Sequence, residues 1–373
     1  MKPTAILLLS CLVGHLLYAQ TPRLDKGARA IALGGAFTGL ANSSFAVFYN
    51  PAGLALLPYR EASFFYVQPF GLPELADIAI TYADPLLLPQ GWGSLGAAIR
   101  RFGFSLYNET AVSLTYARPF ERRLFIGVSA SYQLLSIQGY GYAGAVGLDI
   151  GILALITPDL SIGVAAMNLN RPAFSHSGET LAQVYMAGLS YRLLKSLRAF
   201  FDVEKDIRYP LSIKSGMEFE AVEAVALRAG FSTEPQRFTA GVGVRYSVFD
   251  ADYALTTHPE LGFSHYLTLS IRLGSESDSP QADFERLIEE AFDTKPPLAE
   301  GDTLNLNTAT FQDLMRLPRM TRTLADRILR YRQTYKRFES LDELRNIRGV
   351  SEALFEVWKR FLVIEPSTES NQK

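Results

Sequence analysis

One pattern dominates this chain: between residues 59 and 273, apolar residues alternate with small or polar residues in segment after segment. In residues 263–273, phenylalanine, leucine and isoleucine fall on one side of an extended chain, while serine, threonine and arginine fall on the other. An alternation with a period of two places these two classes on opposite faces of a β-strand. The repeated pattern therefore predicts a large antiparallel sheet whose strands each have one apolar and one polar face.

About fourteen such segments can be counted, separated by turn residues. The predicted strands are residues 59–69, 73–83, 92–102, 106–118, 123–136, 140–153, 159–169, 181–193, 197–206, 211–220, 224–232, 236–248, 249–257 and 263–273. An even number of antiparallel strands is typical of single-chain bacterial outer-membrane barrels. In such a barrel the last strand pairs with the first, and both ends of the strand region lie on the periplasmic side.

Two architectures fit this alternation, a membrane barrel and a secreted β-sandwich that turns its apolar faces inward. The strands are long for a sandwich and numerous for one domain, and the second face is rich in Gly, Ser, Thr and Arg, as suits a polar lumen. Two charge-free stretches, residues 31–59 and 124–148, are long enough for a membrane helix, but Gly, Asn and Pro interrupt the first, and Gln and Gly interrupt the second. The composition favours an all-β transmembrane barrel.

The first nineteen residues have the features of a secretory signal peptide: Lys2, an apolar run, and Ala19 before the expected cleavage point. Cleavage there would remove Cys11, the one cysteine of the chain, so the mature protein would contain no disulfide. Cys11 is also a candidate for lipid acylation, although the apolar run before it is short for that purpose.

Between this segment and the first strand, Gly34-Gly35 permits close approach of the backbone, and Asn50-Pro51-Ala52-Gly53 forms a turn. These residues resemble the N-terminal signature of the PorV-like proteins, which are related more distantly to the fatty-acid transporter FadL. The resemblance covers about residues 25–273. It implies a fourteen-stranded barrel whose N-terminal segment folds back into the lumen as a plug, with Gly34, Gly35, Asn50, Pro51 and Gly53 as the plug motif.

After the last strand the sequence becomes acidic and proline-containing, and then shows apolar residues at helical spacing. Four short helices are predicted, with helix caps at Thr321, Ser340 (paired with Glu343) and Ser351. The predicted domains are a signal peptide (1–19), a plug (20–58), a barrel (59–273), an acidic linker with a short helix (274–302), a small all-α domain (303–364) and a disordered tail (365–373).

The small helical domain resembles the ComEA-type tandem helix-hairpin-helix domain over nearly all of residues 304–364. The resemblance rests on the opening Leu-Asn-Leu-Asn-Thr-Ala sequence, on Leu317-Pro318 in the first hairpin and on Ile347-Arg348-Gly349-Val350 in the second. In that family a Gly-apolar-Gly turn before a helix N-terminus presents backbone N–H groups to DNA phosphates, and such termini favour anions.

The hairpins of this chain depart from that motif. The second keeps Gly349 but has Ser351 in place of the other glycine, and the first reads Arg319-Met320-Thr321. Charge favours anion binding, because residues 304–364 contain twelve basic and seven acidic residues, and Arg345 is one of five arginines near the hairpins. The phosphate-binding residues that the resemblance implies are Arg316, Arg319, Met320, Thr321, Arg322, Arg348, Gly349, Val350 and Ser351. The alternative is a basic, solvated face on a protein-binding or spacer domain.

No catalytic site, cofactor or metal site is predicted. The Gly-x-Gly-x-x-Gly match at residues 139–144 precedes a strand and not a helix, which argues against a nucleotide-binding loop. His176 has no acidic partner at a meaningful spacing. The chain is therefore predicted not to be an enzyme.

Two hypotheses for the function follow. In the first, the chain is an outer-membrane barrel whose helical domain, in the periplasm, binds double-stranded DNA through its phosphates, as in DNA uptake. In the second, the barrel is a PorV-like secretion or assembly scaffold, or a FadL-like channel for apolar solutes, and the helical domain docks a periplasmic or secretion-system protein. Both make outer-membrane lipid a partner of the barrel.

Overall fold

The computed structural model describes residues 25–85, 93–174, 179–258, 260–273, 287–288, 291–292, 298–299 and 301–364. The chain divides into two compact units, Met1–Ile288 and Glu289–Lys373. The predicted signal peptide, most of the predicted linker and the predicted tail lie outside the described residues. Among the helices of the described part, none is long and apolar enough to cross a membrane.

The first unit is a closed barrel of fourteen antiparallel strands, in which neighbours in sequence are neighbours in the barrel. The strands are β1 (Arg60–Val67), β2 (Asp77–Asp84), β3 (Ser94–Gly103), β4 (Tyr107–Glu121), β5 (Leu124–Ile137), β6 (Gly141–Leu155), β7 (Leu160–Met167), β8 (Val184–Leu194), β9 (Leu197–Asp206), β10 (Ser212–Val222), β11 (Val225–Thr233), β12 (Gln236–Tyr246), β13 (Phe249–His258) and β14 (Gly262–Leu273).

The barrel closes where β14 pairs with β1. Arg60 lies opposite Leu273, and Val67 lies opposite Tyr266, in an unbroken antiparallel register. The predicted pairing of the last strand with the first is therefore confirmed, and so is the predicted fold class. A closed sheet leaves no unpaired strand edge, which is the condition for placing strands in lipid.

The two faces of the barrel wall differ in polarity as the alternation predicts. The side chains of Ile80 and Leu114 point outward and are 55% and 66% exposed. Ser63, Thr81 and Thr268 point inward and are buried. A soluble sandwich would have buried the large apolar residues and exposed the hydroxyls, so this arrangement fits an apolar solvent outside the barrel.

The two ends of the barrel have connections of different length. β1 begins and β14 ends at the same end, here called the near rim. Four near-rim turns contain two residues each, namely 122–123, 195–196, 223–224 and 247–248. At the opposite end, the far rim, the connection from β7 to β8 runs over residues 168–183, that from β1 to β2 over residues 68–76 and that from β11 to β12 over residues 234–235. The near-rim connection from β2 to β3 is also long and runs over residues 85–93.

Residues 25–59, here called the plug, lie inside the barrel. The plug contains a short helix α1 (Ala28–Ala32) and two 3₁₀ turns, Ser44–Phe48 and Pro51–Leu56. Most of its residues are buried, including Phe37 and Tyr49, which make an edge-to-face ring contact. The lumen is therefore occupied by the chain's own N-terminal segment.

The second unit contains α2 (Phe311–Met315), α3 (Arg322–Tyr335), a 3₁₀ turn (Leu341–Asn346), α4 (Glu352–Trp358), and a short parallel pair of β15 (Leu304–Asn305) and β16 (Leu362–Val363). The third predicted helix is thus a 3₁₀ turn. The apolar core of the second unit contains buried residues of α2, α3, the 3₁₀ turn, α4 and the segments between them, among them Leu306, Leu314, Ile328, Phe338, Phe355 and Trp358.

The helix caps predicted from the sequence are confirmed. The hydroxyls of Thr321 and Ser351 accept hydrogen bonds from the backbone N–H groups of Leu324 and Leu354. Ser340 and Glu343 form a capping box at the 3₁₀ turn. Thr310 and Asp313 form a second capping box, which starts α2 and which the sequence analysis missed.

Candidate functional site

Ion pairs between plug and wall cluster at the start of the plug. The Nζ of Lys26 lies 2.8 Å from Oδ2 of Asp77, and both side chains are almost fully buried. Asp25 pairs with two basic residues of the wall, Lys214 at 3.3 Å and Arg237. Charges buried in this way are tolerated only when they are paired, so removal of either partner leaves an uncompensated charge.

Glu218, on the lumen face of β10, joins the plug to the wall. Its two carboxylate oxygens accept hydrogen bonds from Nη2 and Nε of Arg29, both at 2.8 Å. The same carboxylate accepts from Nε of Arg228 at 2.7 Å, and Arg228 continues to Asp252 at 2.7 Å. This buried chain of alternating charges includes a bidentate Arg–carboxylate pair, the strongest geometry available for such pairs.

Two further wall carboxylates bind the plug backbone. One oxygen of Asp202 accepts hydrogen bonds from the N–H groups of Phe37, at 2.9 Å, and Thr38, at 2.7 Å. Glu61 accepts from the N–H of Ser44 at 2.7 Å. Because the plug backbone lacks a sheet partner here, these carboxylates satisfy donors that would otherwise be buried without an acceptor.

Burial lowers the pKa of Lys26 to about 8, and the positive charge of Arg100 lowers it as well. The carboxylate of Asp77 acts in the opposite direction. The ammonium of Lys26 is therefore costly to bury, and its attachment to Asp77 is a constraint on where the plug can lie.

The structure places each plug-motif residue at a close contact. Gly34 has φ = 70° and lies against the backbone of Phe231 and Ser215, where a Cβ would come within 2.6 Å of the carbonyl oxygen of Phe231. Gly35 also has positive φ, and a Cβ there would lie 2.8 Å from an oxygen of Asp25. At Gly34 both the backbone conformation and the lack of space require glycine, whereas at Gly35 the left-handed conformation favours it.

The remaining motif residues form the turn after the first 3₁₀ segment. The amide of Asn50 donates to the carbonyl oxygens of Thr38 at 3.1 Å and Ile152 at 3.0 Å, so it connects two parts of the plug to β6. Pro51 lies against Gly127 of β5, and Gly53 lies against the backbone of Ala41.

Replacing Gly34 with alanine is expected to destabilise the plug by about 1–3 kcal/mol, because the residue would combine a left-handed backbone with a steric overlap. Gly71 offers a matched control: its φ is 72°, but no atom lies within 4 Å of its Cβ position. Gly71→Ala should lower stability only by the cost of the left-handed backbone, without a steric overlap. The rate of protease cleavage within the plug of the folded barrel is compared between Gly34→Ala and Gly71→Ala, and we expect it to be faster in Gly34→Ala. Equal cleavage of the two variants would contradict the close contact at Gly34.

A polar cavity lies beside the plug, next to the turn formed by residues 195–196 at the near rim. Charged side chains line much of it, including Arg29, Glu218, Arg228, Arg245, Asp250 and Asp252. Arg245 pairs with Glu220, and Arg272 pairs with Asp250. The space next to the plug is therefore ionic in character.

In the second unit, the two hairpins are related by a shift of thirty residues. Leu314, Leu317, Arg319, Met320, Thr321 and Leu324 correspond to Leu344, Ile347, Gly349, Val350, Ser351 and Leu354. Both turns share one hydrogen bond, from Met320 to the carbonyl of Leu317 and from Val350 to that of Ile347, each at 3.1 Å. The two hairpins therefore have the same backbone design with different side chains.

At the first hairpin, Arg319 takes the left-handed position, with φ = 57°, that Gly349 takes with φ = 101° at the second. The side chain of Arg319 is exposed. Arg316 is partly exposed and lies 3.8 Å from Asp302. Arg322 is the first residue of α3, and its side chain lies outside the described set. The first hairpin thus presents at least one exposed cation beside a helix N-terminus.

At the second hairpin, Arg345, which precedes the turn, is neutralised. Arg345 pairs with Asp342, Glu352 and Glu356 and stacks 4.0 Å above the ring of Phe355. The hydrogen bonds it donates to Glu352 raise its pKa above the ordinary value. Arg345 therefore adds less positive charge to the second hairpin than the sequence indicates, because three carboxylates already pair with it.

The other predicted phosphate-binding residues divide into two groups. Arg348, Gly349 and Ser351 are exposed. The side chains of Met320 and Val350 pack on the apolar core, so only their backbone groups face the turn. The hydroxyls of Thr321 and Ser351 are used as helix caps, each at 3.3 Å, and so take an N–H that a bound anion would otherwise receive.

The charged wall residues that hold the plug were missed by the sequence analysis. Asp77, Asp202 and Glu218 lie at lumen-facing positions of their strands and are buried. The sequence pattern that could have predicted them is an ionisable residue at an inward position of a strand whose outward positions are apolar. In the described part of the chain, no group of three or more His, Cys, Asp or Glu residues could hold a metal ion.

Residues 300–363 match the model of the family described as helix-hairpin-helix motif. A curated relative, the endonuclease/exonuclease/phosphatase family domain-containing protein 1 of Xenopus laevis, is 35% identical over 75 residues. That match spans 20% of this chain and 14% of the relative's length. The likeness is thus confined to a small part of both proteins.

Among solved structures, the chain is similar to the toluene transporter TodX of P. putida, with a TM-score of 0.48 and 12% identity over 68% of this chain and 100% of TodX. It is also similar to the CymD monoaromatic hydrocarbon channel, with a TM-score of 0.47 and 9% identity over 67% and 100% of the two chains. A FadL homologue of Pseudomonas aeruginosa gives a TM-score of 0.39 and 11% identity over 64% and 95%. None of these likenesses identifies what this chain binds or transports.

Proposed function

We propose that this chain is an outer-membrane scaffold: a barrel kept closed by its own plug, which holds a helix-hairpin-helix domain on the periplasmic side for docking a secretion or assembly protein. The observation that carries the proposal is the set of buried ion pairs between plug and wall, centred on Asp25, Lys26 and Arg29. Buried pairs of this kind resist separation, because pulling one partner away strands the other. A conducting pore would have to break several of them.

The orientation is supported by the lengths of the connections. Bacterial outer-membrane barrels have short periplasmic turns and longer extracellular loops. Four of the five two-residue connections between barrel strands lie at the near rim, the same end at which β14 finishes, and the longest connection, residues 168–183, lies at the far rim. We therefore place the near rim, and with it the chain that follows Leu273, in the periplasm.

A channel for apolar solutes is less well supported by the interior. The lumen face carries hydroxyls, carboxylates and guanidinium groups beside apolar side chains such as Phe65 and Met186, but the cavity beside the plug has a largely ionic lining. An apolar solute gains nothing from such a lining, since ligand sites for apolar molecules are predominantly apolar themselves.

The scaffold proposal is tested with the full chain reconstituted in planar bilayers and proteoliposomes. We expect no steady ionic conductance and no uptake of an apolar solute such as toluene. We also expect that deleting the helical domain abolishes periplasmic partner binding without changing barrel folding. Steady conductance or toluene uptake by the unaltered chain would reject the scaffold in favour of a channel.

A second candidate function, binding of duplex DNA, is favoured by one observation. The left-handed corner of the first hairpin carries an exposed arginine, Arg319, and Arg348 is exposed at the second. Two cations beside helix N-termini can contact phosphates of a duplex without reading its sequence. The caps of Thr321 and Ser351 and the neutralised Arg345 limit how many such contacts are available.

If the domain binds DNA, Arg319→Ala should weaken duplex binding equally for all sequences and reduce the slope of log affinity against log salt by about 1. The matched control is Arg345→Ala, whose guanidinium is held by carboxylates and should leave that slope unchanged. Fluorescence anisotropy of a labelled duplex at several salt concentrations measures both. Absence of binding at low salt, or identical slopes for the three proteins, would exclude phosphate recognition by the first hairpin.

A further inference from the structure

An open groove crosses the outer face of the barrel over β6, β7, β8 and β9. Its floor is made by two small residues on the central strands, Ala166 of β7 and Ala187 of β8. Ala166 lies between Ile150 and Tyr185 in the strand register, and Ala187 lies between Val164 and Val203. Larger side chains therefore flank each small one, and the groove has a volume of about 400 Å³, within the roughly 300–1,000 Å³ of ligand clefts.

One end of this groove carries a cation. Lys205 lies next to the last residue of β9, at the far-rim end, directly opposite Tyr185 of β8. Its side chain points outward and is exposed, and its ammonium donates to the carbonyl oxygen of Tyr209. Among the described outward-facing positions of β6 to β9, Lys205 is the one with an ionised side chain. The groove is therefore apolar along its length and basic at one end.

We propose that this groove binds a phospholipid with a net negative headgroup, its acyl chain lying over Ala166 and Ala187 and its phosphate on Lys205. The proposal rests on the membrane placement given under the proposed function. Lysines near the ends of membrane segments extend their charge to the interface, and the outward Tyr185 opposite Lys205 is typical of that depth. Because every lipid offers an acyl chain, selectivity comes from the charge.

The test uses the full chain purified in detergent and analysed by native mass spectrometry with two probes of equal chain length, dioleoyl phosphatidylglycerol and dioleoyl phosphatidylcholine. We expect about a fivefold preference for the anionic lipid, the effect of one lysine near a membrane surface. Lys205→Gln should abolish the preference and leave phosphatidylcholine binding unchanged. Ala187→Leu, which fills the groove, should reduce retention of both lipids.

Arg101 provides a matched control, because it is an exposed, outward-facing cation near the far-rim end of β3, away from the groove. Arg101→Gln should keep the preference for phosphatidylglycerol. Loss of the preference in Arg101→Gln as well, or its survival in Lys205→Gln, would overturn the site and indicate diffuse attraction. Failure of the barrel to insert into detergent micelles would instead contradict the membrane placement.

Discussion

A Glu218→Ala variant is expected to convert the closed barrel into a conducting one. Glu218 is buried, and its carboxylate binds Arg29 of the plug and Arg228 of the wall at the same time. Without it, Arg29 keeps its charge inside the lumen with its bidentate partner gone, and breaking a buried pair in this way costs about 3–5 kcal/mol. We expect this cost to favour plug conformations outside the lumen, seen as ionic conductance in planar bilayers and as protease cleavage within residues 25–59.

Asp159→Ala is the matched control for this experiment. Asp159 pairs with Arg192 at 2.7 Å at the near rim, but the side chain of Asp159 is 48% exposed, and Arg192 belongs to the wall and not to the plug. A solvent-exposed pair contributes about 0–1 kcal/mol, so the variant should stay closed. Unchanged heat-modifiable migration in gels would show that Glu218→Ala still folds. If the folded variant then shows no more ionic conductance and no more protease cleavage than the unaltered chain, the pair of Glu218 and Arg29 does not hold the plug.

The strand pattern could be predicted because it depends on local chemistry with a strict period. A shift of one residue would move every apolar side chain of a strand to the lumen, so the alternation defines both the strand and its facing. Prediction failed at the ends of strands. The predicted second strand began at residue 73, whereas β2 begins at Asp77, because a 3₁₀ turn at Pro73–Leu75 comes first.

The attachment of the plug could not be predicted from local pattern. Asp25 meets Arg237 across 212 residues of sequence, and Arg29 meets Glu218 across 189. Such contacts exist only after the sheet has closed and its inward faces surround the N-terminal segment. The motif glycines were visible in the sequence, whereas the wall carboxylates that bind the plug, such as Asp202 and Glu218, were not.

In the hairpins, too, local contacts could be predicted from the sequence and contacts between distant elements could not. Caps such as Thr321 and Ser351 act within three residues and were predicted correctly. The neutralisation of Arg345 depends on Glu352 and Glu356, which α4 brings back beside the 3₁₀ turn. Net charge over residues 304–364 therefore overstated the positive field at the second hairpin.

Trp358→Ala is expected to unfold the helix-hairpin-helix domain while the barrel stays intact. The indole is fully buried, and its Nε1–H donates to the carbonyl oxygen of Pro318 at 2.8 Å, which connects α4 to the first hairpin. Truncation of a buried Trp to Ala costs about 3–5 kcal/mol. A core in a domain of this size rarely supplies more than about 3–5 kcal/mol, so little or no net stability would be left.

Hydrogen exchange of the full chain measures this outcome, because the barrel serves as an internal reference within the same molecule. Backbone amides of α3 and α4 should lose protection in Trp358→Ala, while those of β1 to β14 keep it. Trp358→Phe keeps most of the packing but leaves the Pro318 carbonyl without its donor, at a cost of about 1–3 kcal/mol, and should show intermediate protection. Full protection of α3 in Trp358→Ala would mean that the two hairpins hold together without the bridge through Trp358.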